Sequence, residues 1–292
     1  MLLNQLKIAD PKKIKILDLI RKKREVSGAE LARLTNLQPS TMVYMLRSLK
    51  KAGFIEVARL GYSSTVGGKP PTLWRLIGEL GYIIGMEVIP DEIRATVVDF
   101  SSNVIFKKIY SNLETVGEEK LVSTIEEVFQ KIIDEVKIDK QKVVGLGIAL
   151  PGLIDRQKGI VNYSVPLEVK QFALQEQLEQ MMNLPIRIVN DANAGALEIK
   201  WFYFGDKNLP SNIVYLTINE DFGGIGAGLI FDQKLYEGVS GTAGELVVSL
   251  PSLNELIRNG VKKYGEESDV SQLLSLKKLS FSDVTNPYQN SK

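Results

Sequence analysis

Residues 189–202 read VNDANAGALEIKWF, and the pair Asn190-Asp191 within them could do chemistry. A β-branched run (Ile186, Ile188, Val189) stops at that pair, and a helical pattern starts at Ala192. Open α/β sheets place their ligand sites at the carboxyl ends of strands, just before a helix. A carboxylate there can act as a catalytic base, accept hydrogen bonds from a bound ligand, or cap a helix over 192–204. Spacing alone leaves all three open. Asn193 reads as a residue of the helix start that supports the pair. Trp201, Phe202, Tyr203 and Phe204 could suggest an aromatic sugar platform, but at a helix end they read as packing.

Composition narrows the chemistry. The 292 residues include no cysteine and no histidine. A disulfide framework, a thiolate nucleophile and an imidazole base are therefore excluded, as are thiolate and imidazole zinc sites. Catalysis would have to run on carboxylates, lysine or hydroxyls. The start of the chain, MLLNQLKIADPKKIK, lacks a signal-peptide core, and no run of eighteen apolar residues follows. The expectation is a cytoplasmic protein with no membrane partner, no cofactor and no metal.

Net charge is +1, but it is unevenly spread. Residues 1–75 hold 15 Lys+Arg and 5 Asp+Glu, which leaves 21 basic and 30 acidic residues in the remainder. A front end of +10 on a body of −9 suggests a polyanion-binding module joined to an acidic domain.

The basic segment has the elements such a module needs. Ile14, Leu17 and Ile20, with Ile16 and Leu19, give a first helix an apolar face. SGAE, Ser27 to Glu30, has capping-box spacing and starts a second helix with Leu31, Ala32 and Leu34 inward. Pro39 opens a third helix, with Met42, Met45, Leu46 and Leu49 buried and Gly53 as its stop. Its outer face carries Ser40, Thr41, Val43, Tyr44, Arg47 and Lys51. Phe54–Arg59 and Thr72–Leu76 read as strands around a Gly/Ser/Pro loop, a wing with Lys69 and Arg59 toward its tip. This is the pattern of a winged helix-turn-helix, in which those outer residues and Lys69 would meet double-stranded operator DNA.

From Gly81 strands alternate with helices. YIIGMEVI, EIRATVVDF and NVIFKKIY form an antiparallel meander, and residues 115–137 an amphipathic helix with Leu121, Ile125, Val128, Ile132 and Val136 on one face. KVVGLGIALPGLID is a buried strand running into a Pro-Gly turn, LEVKQFALQEQLEQMM a helix, and NIVYLTIN with GIGAGLIFDQKLYEG a glycine-rich hairpin. The expectation is a domain boundary between 77 and 78, with a mixed-sheet α/β body over 78–292.

GGKPPTLWRL, GLGIALPGLID, LPIRIVNDANAGAL and GAGLIFDQKLYEGVSGTAGEL, in that order, resemble the ROK family of repressors, open reading frames and sugar kinases. The match spans most of residues 12–250 and is to the repressor branch. It implies an N-terminal winged helix followed by an actin-like (ribonuclease H-like) sugar-kinase fold, overall α+β / α/β. It also implies that the chain stops short of the family's full C-terminal lobe.

The resemblance gives Asp191 two roles. In the family's kinases this aspartate is the base that deprotonates a sugar hydroxyl; in its repressors the Asn-Asp pair binds sugar without chemistry. Kinases carry small residues and free backbone N–H groups in the turn after the first strand. This chain has Glu87 followed by Val88, Ile89, Pro90, Asp91 and Glu92. In the second phosphate segment Gly223, Gly224, Gly226 and Gly228 remain, but Glu220 and Asp221 stand beside them. The family's Gly-x-x-Gly-Glu-x-Gly-His reads GTAGELVV, so Glu245 is kept, while Val247 and Val248 replace glycine and the zinc-binding histidine. A further sugar-contacting glutamate would fall at Asn254 or Glu255. The expected sugar site is Gly152, Asn190, Asp191 and Glu245, in a homodimeric repressor that lets go of DNA when sugar binds. A sugar kinase with a DNA-binding head and a dimerisation body without ligand are the alternatives.

Overall fold

The computed structural model describes residues 10–62, 70–203, 210–219, 224–238 and 241–246. Lys69, Phe204, Glu220, Asp221, Gly223, Val247, Val248, Asn254 and Glu255 lie outside the described residues. Two compact units divide the chain, Met1–Tyr215 with Ala227–Gly244 and Leu216–Gly226 with Glu245–Lys292.

In the first unit, Asp10 accepts from the Lys12 N–H and Pro11 sits at the first helical position of α1, Pro11–Lys23. A two-residue strand, β1 (Val26–Ser27), leads into α2, Gly28–Thr35. The capping-box serine behaves as its spacing requires: Ser27 Oγ accepts from the Glu30 N–H at 3.1 Å. Asn36, at φ 56°, closes that helix in the left-handed region. Helix α3, Pro39–Lys51, ends in a Schellman pair. Gly53, at φ 78°, donates to the Lys50 carbonyl, and Phe54 donates to the Leu49 carbonyl. Strands β2 (Ile55–Leu60) and β3 (Thr72–Leu76) complete a three-stranded sheet in the order β1-β3-β2.

Ile16, Leu17, Ile20, Leu31, Met42, Met45, Leu46 and Leu49 pack with Phe54, Ile55 and Leu76 into one small core. Two expected core residues do not join it. Ile14 is 53% exposed and Leu34 39% exposed, because α1 and α2 bury a narrower stripe than their apolar content suggests.

A short 3-10 turn, Gly78–Leu80, leads into a five-stranded sheet ordered β11-β7-β4-β5-β6. β4 (Tyr82–Ile89), β5 (Glu92–Asp99) and β6 (Val104–Ser111) are the antiparallel meander. β7 (Val143–Leu150) and β11 (Ile186–Asn190) add to β4 in parallel. Helix α4, Glu118–Val136, lays Leu121, Ile125, Val128, Phe129 and Ile132 on the sheet, all fully buried. Val136 is only partly buried.

The stretch read as one helix from Leu167 splits. Leu153–Asp155 (β8), Ile160–Ser164 (β9) and Val169–Phe172 (β10) form a small antiparallel sheet, and helix α5 is confined to Leu174–Met182. Val169 and Phe172 are buried with period three on a strand kinked at Gln171, φ 49°, a spacing that also fits a helix. After β11 comes α6, Asp191–Glu198, then a π-helical turn, Ile199–Tyr203. β12 (Ile213–Asn219), β13 (Gly224–Phe231), β14 (Lys234–Leu235) and β15 (Glu245–Leu246) follow. In the first unit β13 pairs with β14, and in the second it pairs with β15, Gly226 standing opposite Glu245. No helix among the described residues is long and apolar enough to cross a membrane.

Candidate functional site

β4, β7 and β11 run parallel and end together, which gathers Glu87, the turn after Leu150 and Asn190-Asp191 at one edge of the sheet. Asn190 is buried, and its amide bonds at both ends. Its Oδ1 accepts from the Asn193 N–H at 3.1 Å, and its Nδ2 donates to the Gly152 carbonyl at 3.1 Å. The helix cap is therefore Asn190 and not Asp191, with α6 starting one residue earlier than expected. The strand's last residue keeps extended geometry, φ −64° and ψ 145°, which is what a capping residue requires.

Asp191 follows Asn190 on the same corner, and its Oδ1 accepts from the Ala192 N–H at 2.8 Å. Burial pushes this carboxyl above its ordinary range, and the negative charge of Glu87 pushes the same way against the Ala192 hydrogen bond. Glu87 pairs with Arg94 at 3.2 Å. Tyr215 completes the polar group. Burial raises its phenol, and the charges of Glu198, Glu87 and Asp191 add to that. The arrangement is a desolvated carboxylate whose pKa is raised, within the electrostatic reach of Glu87 and of one phenol. It suits hydroxyl groups, as base or as reader.

Close backbone contacts explain the small residues around the pair. Gly152 has φ 116°, and a Cβ there would lie 2.4 Å from the Tyr163 carbonyl oxygen. A Cβ at Gly195 would strike the Tyr215 ring at 2.3 Å, and one at Gly228 would meet the Ala192 carbonyl oxygen at 2.2 Å. The NDANAGA pattern thus lets α6 lie directly on β12 and β13. Glu245, the fourth expected sugar residue, is exposed on β15 and belongs to the second unit. Among the described residues no group of three or more His, Cys, Asp or Glu has metal-binding geometry.

The turn after β4 is closed. Asp91, φ 60°, donates its N–H to Thr115 Oγ1 at 3.0 Å, and that hydroxyl donates to the Ile89 carbonyl. Pro90 has no N–H to offer. Thr115 is fully buried, and no sequence pattern had singled it out.

On the winged helix, Ser40, Val43, Tyr44, Arg47 and Lys51 are exposed along one face of α3, with Thr41 half-buried beside them. Tyr44 is 70% exposed. Lys50 instead lies over the Trp74 ring of the wing, 6.0 Å from its centroid. Arg59, expected toward the wing tip, is drawn back to Glu25 at 2.7 Å. Arg24 was not anticipated either. It holds φ 65° and donates to the carbonyls of Ser101 and Ser102 and to Asn103 Oδ1.

A winged helix-turn-helix in front of an actin-like sugar-kinase fold is a recognisable class of chain. The ROK family model matches residues 83–247, and a winged helix-turn-helix DNA-binding model matches residues 10–56. This chain belongs to the ROK family. The xylose repressor of Caldicellulosiruptor bescii is 33% identical over 236 residues, 80% of this chain and 57% of that protein. The xylose repressor of Bacillus subtilis is 29% identical over 278 residues, 93% of this chain and 70% of that one. The glucokinase of Halalkalibacterium halodurans is 25% identical over 165 residues, 56% of this chain and 48% of that enzyme. The chain thus spans 57% of the first of these curated relatives.

Among solved structures, a ROK-family transcriptional regulator homologous to the E. coli MLC protein superposes with TM-score 0.65 at 20% identity, covering 94% of this chain and 72% of that one. A ROK glucokinase from Streptomyces griseus, in complex with glucose and AMPPNP, gives TM-score 0.51 at 22% identity over 65% of this chain and 63% of that one. Both fix the fold.

Proposed function

We propose that this chain is a sugar-responsive transcriptional regulator, a repressor of carbohydrate-utilisation genes. In this reading the α3 face (Ser40, Thr41, Val43, Tyr44, Arg47, Lys51) and Lys69 of the wing meet operator DNA. The sugar sits at Asp191, with Gly152 and Asn190 shaping its pocket, and Glu245 remains a candidate sugar contact carried by the second unit. The protein works as a cytoplasmic homodimer, with the DNA-binding domain over residues 1–77 and the sugar-binding domain from 78 on. The observation that carries the reading is the pairing of a winged helix bearing an exposed Val43–Tyr44–Arg47 face with a desolvated carboxylate at the strand ends of the same compact unit. That relatives are xylose repressors supports an aldopentose of the xylose type as the sugar class.

A non-enzymatic role is favoured by the turn after β4. A phosphate-binding turn needs outward N–H groups, whereas here Pro90 has none and Asp91 spends its own on Thr115. Sugar binding acts as a population shift, lowering operator affinity by the coupling free energy, typically about 1–3 kcal/mol. The test starts with DNA fragments selected on the purified protein and binding measured by anisotropy with D-xylose, L-arabinose or D-glucose, alongside an ATP-turnover assay with each sugar. Sequence-selective binding relieved by a pentose, without ATP consumption, is the expected result. Sugar-dependent ATP turnover would replace this reading with a kinase.

A further inference from the structure

Helix α6 starts at the candidate sugar site and continues through the π-helical turn Ile199–Tyr203, thirteen residues or about 20 Å in all. Its first turns are held against backbone at Gly228 and against the Tyr215 ring at Gly195. At its far end Trp201, 55% exposed, presents its ring to Arg21 of α1, whose Cζ lies 5.4 Å from the ring centroid. Arg21 is oriented by Asp18, through Nε at 3.2 Å and Nη2 at 2.8 Å. Helix α1 packs through Ile16, Leu17 and Ile20 on the same core that carries α3. One continuous helical segment therefore joins Asp191 to the DNA-binding module.

The two bodies meet differently at the β5–β6 turn. Ser101 Oγ donates to the Leu76 carbonyl at 3.2 Å, the Phe100 ring lies 6.3 Å from that of Phe54, and Arg24 grips Ser101, Ser102 and Asn103. That contact rests on backbone groups and on a residue held at positive φ, so it resists sliding. The Arg21–Trp201 contact is a cation over an exposed ring, a weak contact that makes and breaks easily. A π turn also carries one residue more than an α turn. If it relaxes to α geometry, everything after it rotates by about 100°.

We propose that Arg21 and Trp201 are the positioning residues that couple the Asp191 site to the winged helix, with the Phe100–Asn103 turn as the fixed pivot and the π turn as the element that yields. A ligand that pulls on the start of α6 moves Trp201 relative to Arg21 and so reorients α1 and α3. The inference rests on the sugar-responsive reading above.

The test uses the full chain and its selected DNA, comparing wild type with Trp201→Leu, Trp201→Phe, Arg21→Gln and the double variant. D-xylose affinity by calorimetry and sugar-free DNA affinity are expected to stay within about twofold of wild type, since neither residue touches either ligand. The drop in DNA affinity at saturating xylose, about tenfold or more in wild type, is expected to fall below about threefold in Trp201→Leu and Arg21→Gln. Trp201→Phe should lie between, and the double variant should lose no more than either single one. Because the chain has two tryptophans, a Trp74→Phe background also isolates Trp201 fluorescence, which should shift with the midpoint of xylose binding. A wild-type drop retained in both single variants overturns the coupling while leaving the regulator intact. A wild-type chain that binds no sugar, or keeps its DNA when sugar is bound, defeats the regulatory reading and this inference with it.

Discussion

Asn190 Nδ2 lies 3.1 Å from the Gly152 carbonyl oxygen, thirty-eight residues away in sequence, while the same side chain caps α6. One amide thus ties the Pro-Gly turn after β7 to the start of the helix after β11. Asp191, the next residue, is left out of the cap and takes the Ala192 N–H instead.

Replacing Asn190 by alanine removes a helix cap and the donor to the half-buried Gly152 carbonyl. The cap is worth about 1 kcal/mol and the unsatisfied carbonyl about 1–3 kcal/mol. Thermal melts should show a loss of about 2–4 kcal/mol. Asn190→Asp keeps the cap but loses the donor and sets a second carboxylate beside Asp191, so it should rescue little of that loss. A variant as stable as wild type would mean the amide bridge contributes nothing.

For Asp191 the sign of the pH dependence follows from its upward shift. An acid whose folded pKa is raised binds more protons in the native state, so its contribution to stability declines as pH rises through the raised value. Asp191→Asn, which keeps the acceptor for Ala192, should therefore raise Tm at neutral pH, by about 2–4 °C for each kcal/mol relieved. The gain should close as the pH is lowered toward the carboxylate's ordinary range. The same variant should lose its thermal shift with D-xylose. A Tm difference that stays constant from pH 4 to 8 would show that desolvation is not what Asp191 endures.

Gly152→Ala adds a Cβ 2.4 Å from the Tyr163 carbonyl oxygen at a φ of 116°. Both backbone strain and overlap oppose it, and a loss of about 3 kcal/mol or more is expected in chemical denaturation. Gly147→Ala is the control, since nothing lies within 4 Å of a Cβ placed there.

On the DNA side, Arg47→Ala should cost about 1–3 kcal/mol in binding to the selected fragment. If the guanidinium meets phosphate, the slope of log K against log salt falls by about 1 as well. Tyr44→Ala should instead relax the sequence preference. Titrations at several salt concentrations, on selected and scrambled DNA, separate the two. Unchanged affinity in both variants would take α3 out of the interface.

Tyr110 offers an alkaline probe remote from both sites. Burial and the neighbouring Glu135 carboxylate push its phenol up to about 12. Protonated in the native state and free to ionise once unfolded, it should make stability fall between pH 10 and 12. Tyr110→Phe should flatten that fall, as measured by denaturant midpoints across the range. An equally steep fall in the variant would assign it to other groups.

Much of this was legible in the chain. Capping-box spacing at Ser27 and Glu30, Pro39 at a helix start, Gly53 at a helix end and the Met42–Leu49 stripe are local rules, and each holds in the structure. The β-branched run before Asn190 likewise marked the strand, and the small residues after it marked a helix in close contact. Reading failed where two periods coincide: Val169 and Phe172 fit a helix as well as a kinked strand, and only pairing with β9 decided for the strand. Local pattern also overfilled the apolar faces of α1 and α2, because burial of Ile14 and Leu34 depends on what stands opposite.

The sequence by itself determined the three helices and two wing strands of the front end, the strand-to-helix corner at Asn190, the basic-to-acidic division, the absence of imidazole and thiolate chemistry, and the likeness that the ROK model bears out over 83–247. These follow from composition and from short-range spacing, which need no knowledge of the fold. Tertiary structure alone decided that Asn190 caps and Asp191 does not, that Thr115 consumes the Asp91 N–H, that Arg59 turns back to Glu25, and that Trp201 reaches Arg21. Each is a choice between hydrogen-bonding or ring partners that lie within a few ångströms of each other only after the chain has folded. No spacing along the sequence encodes that proximity.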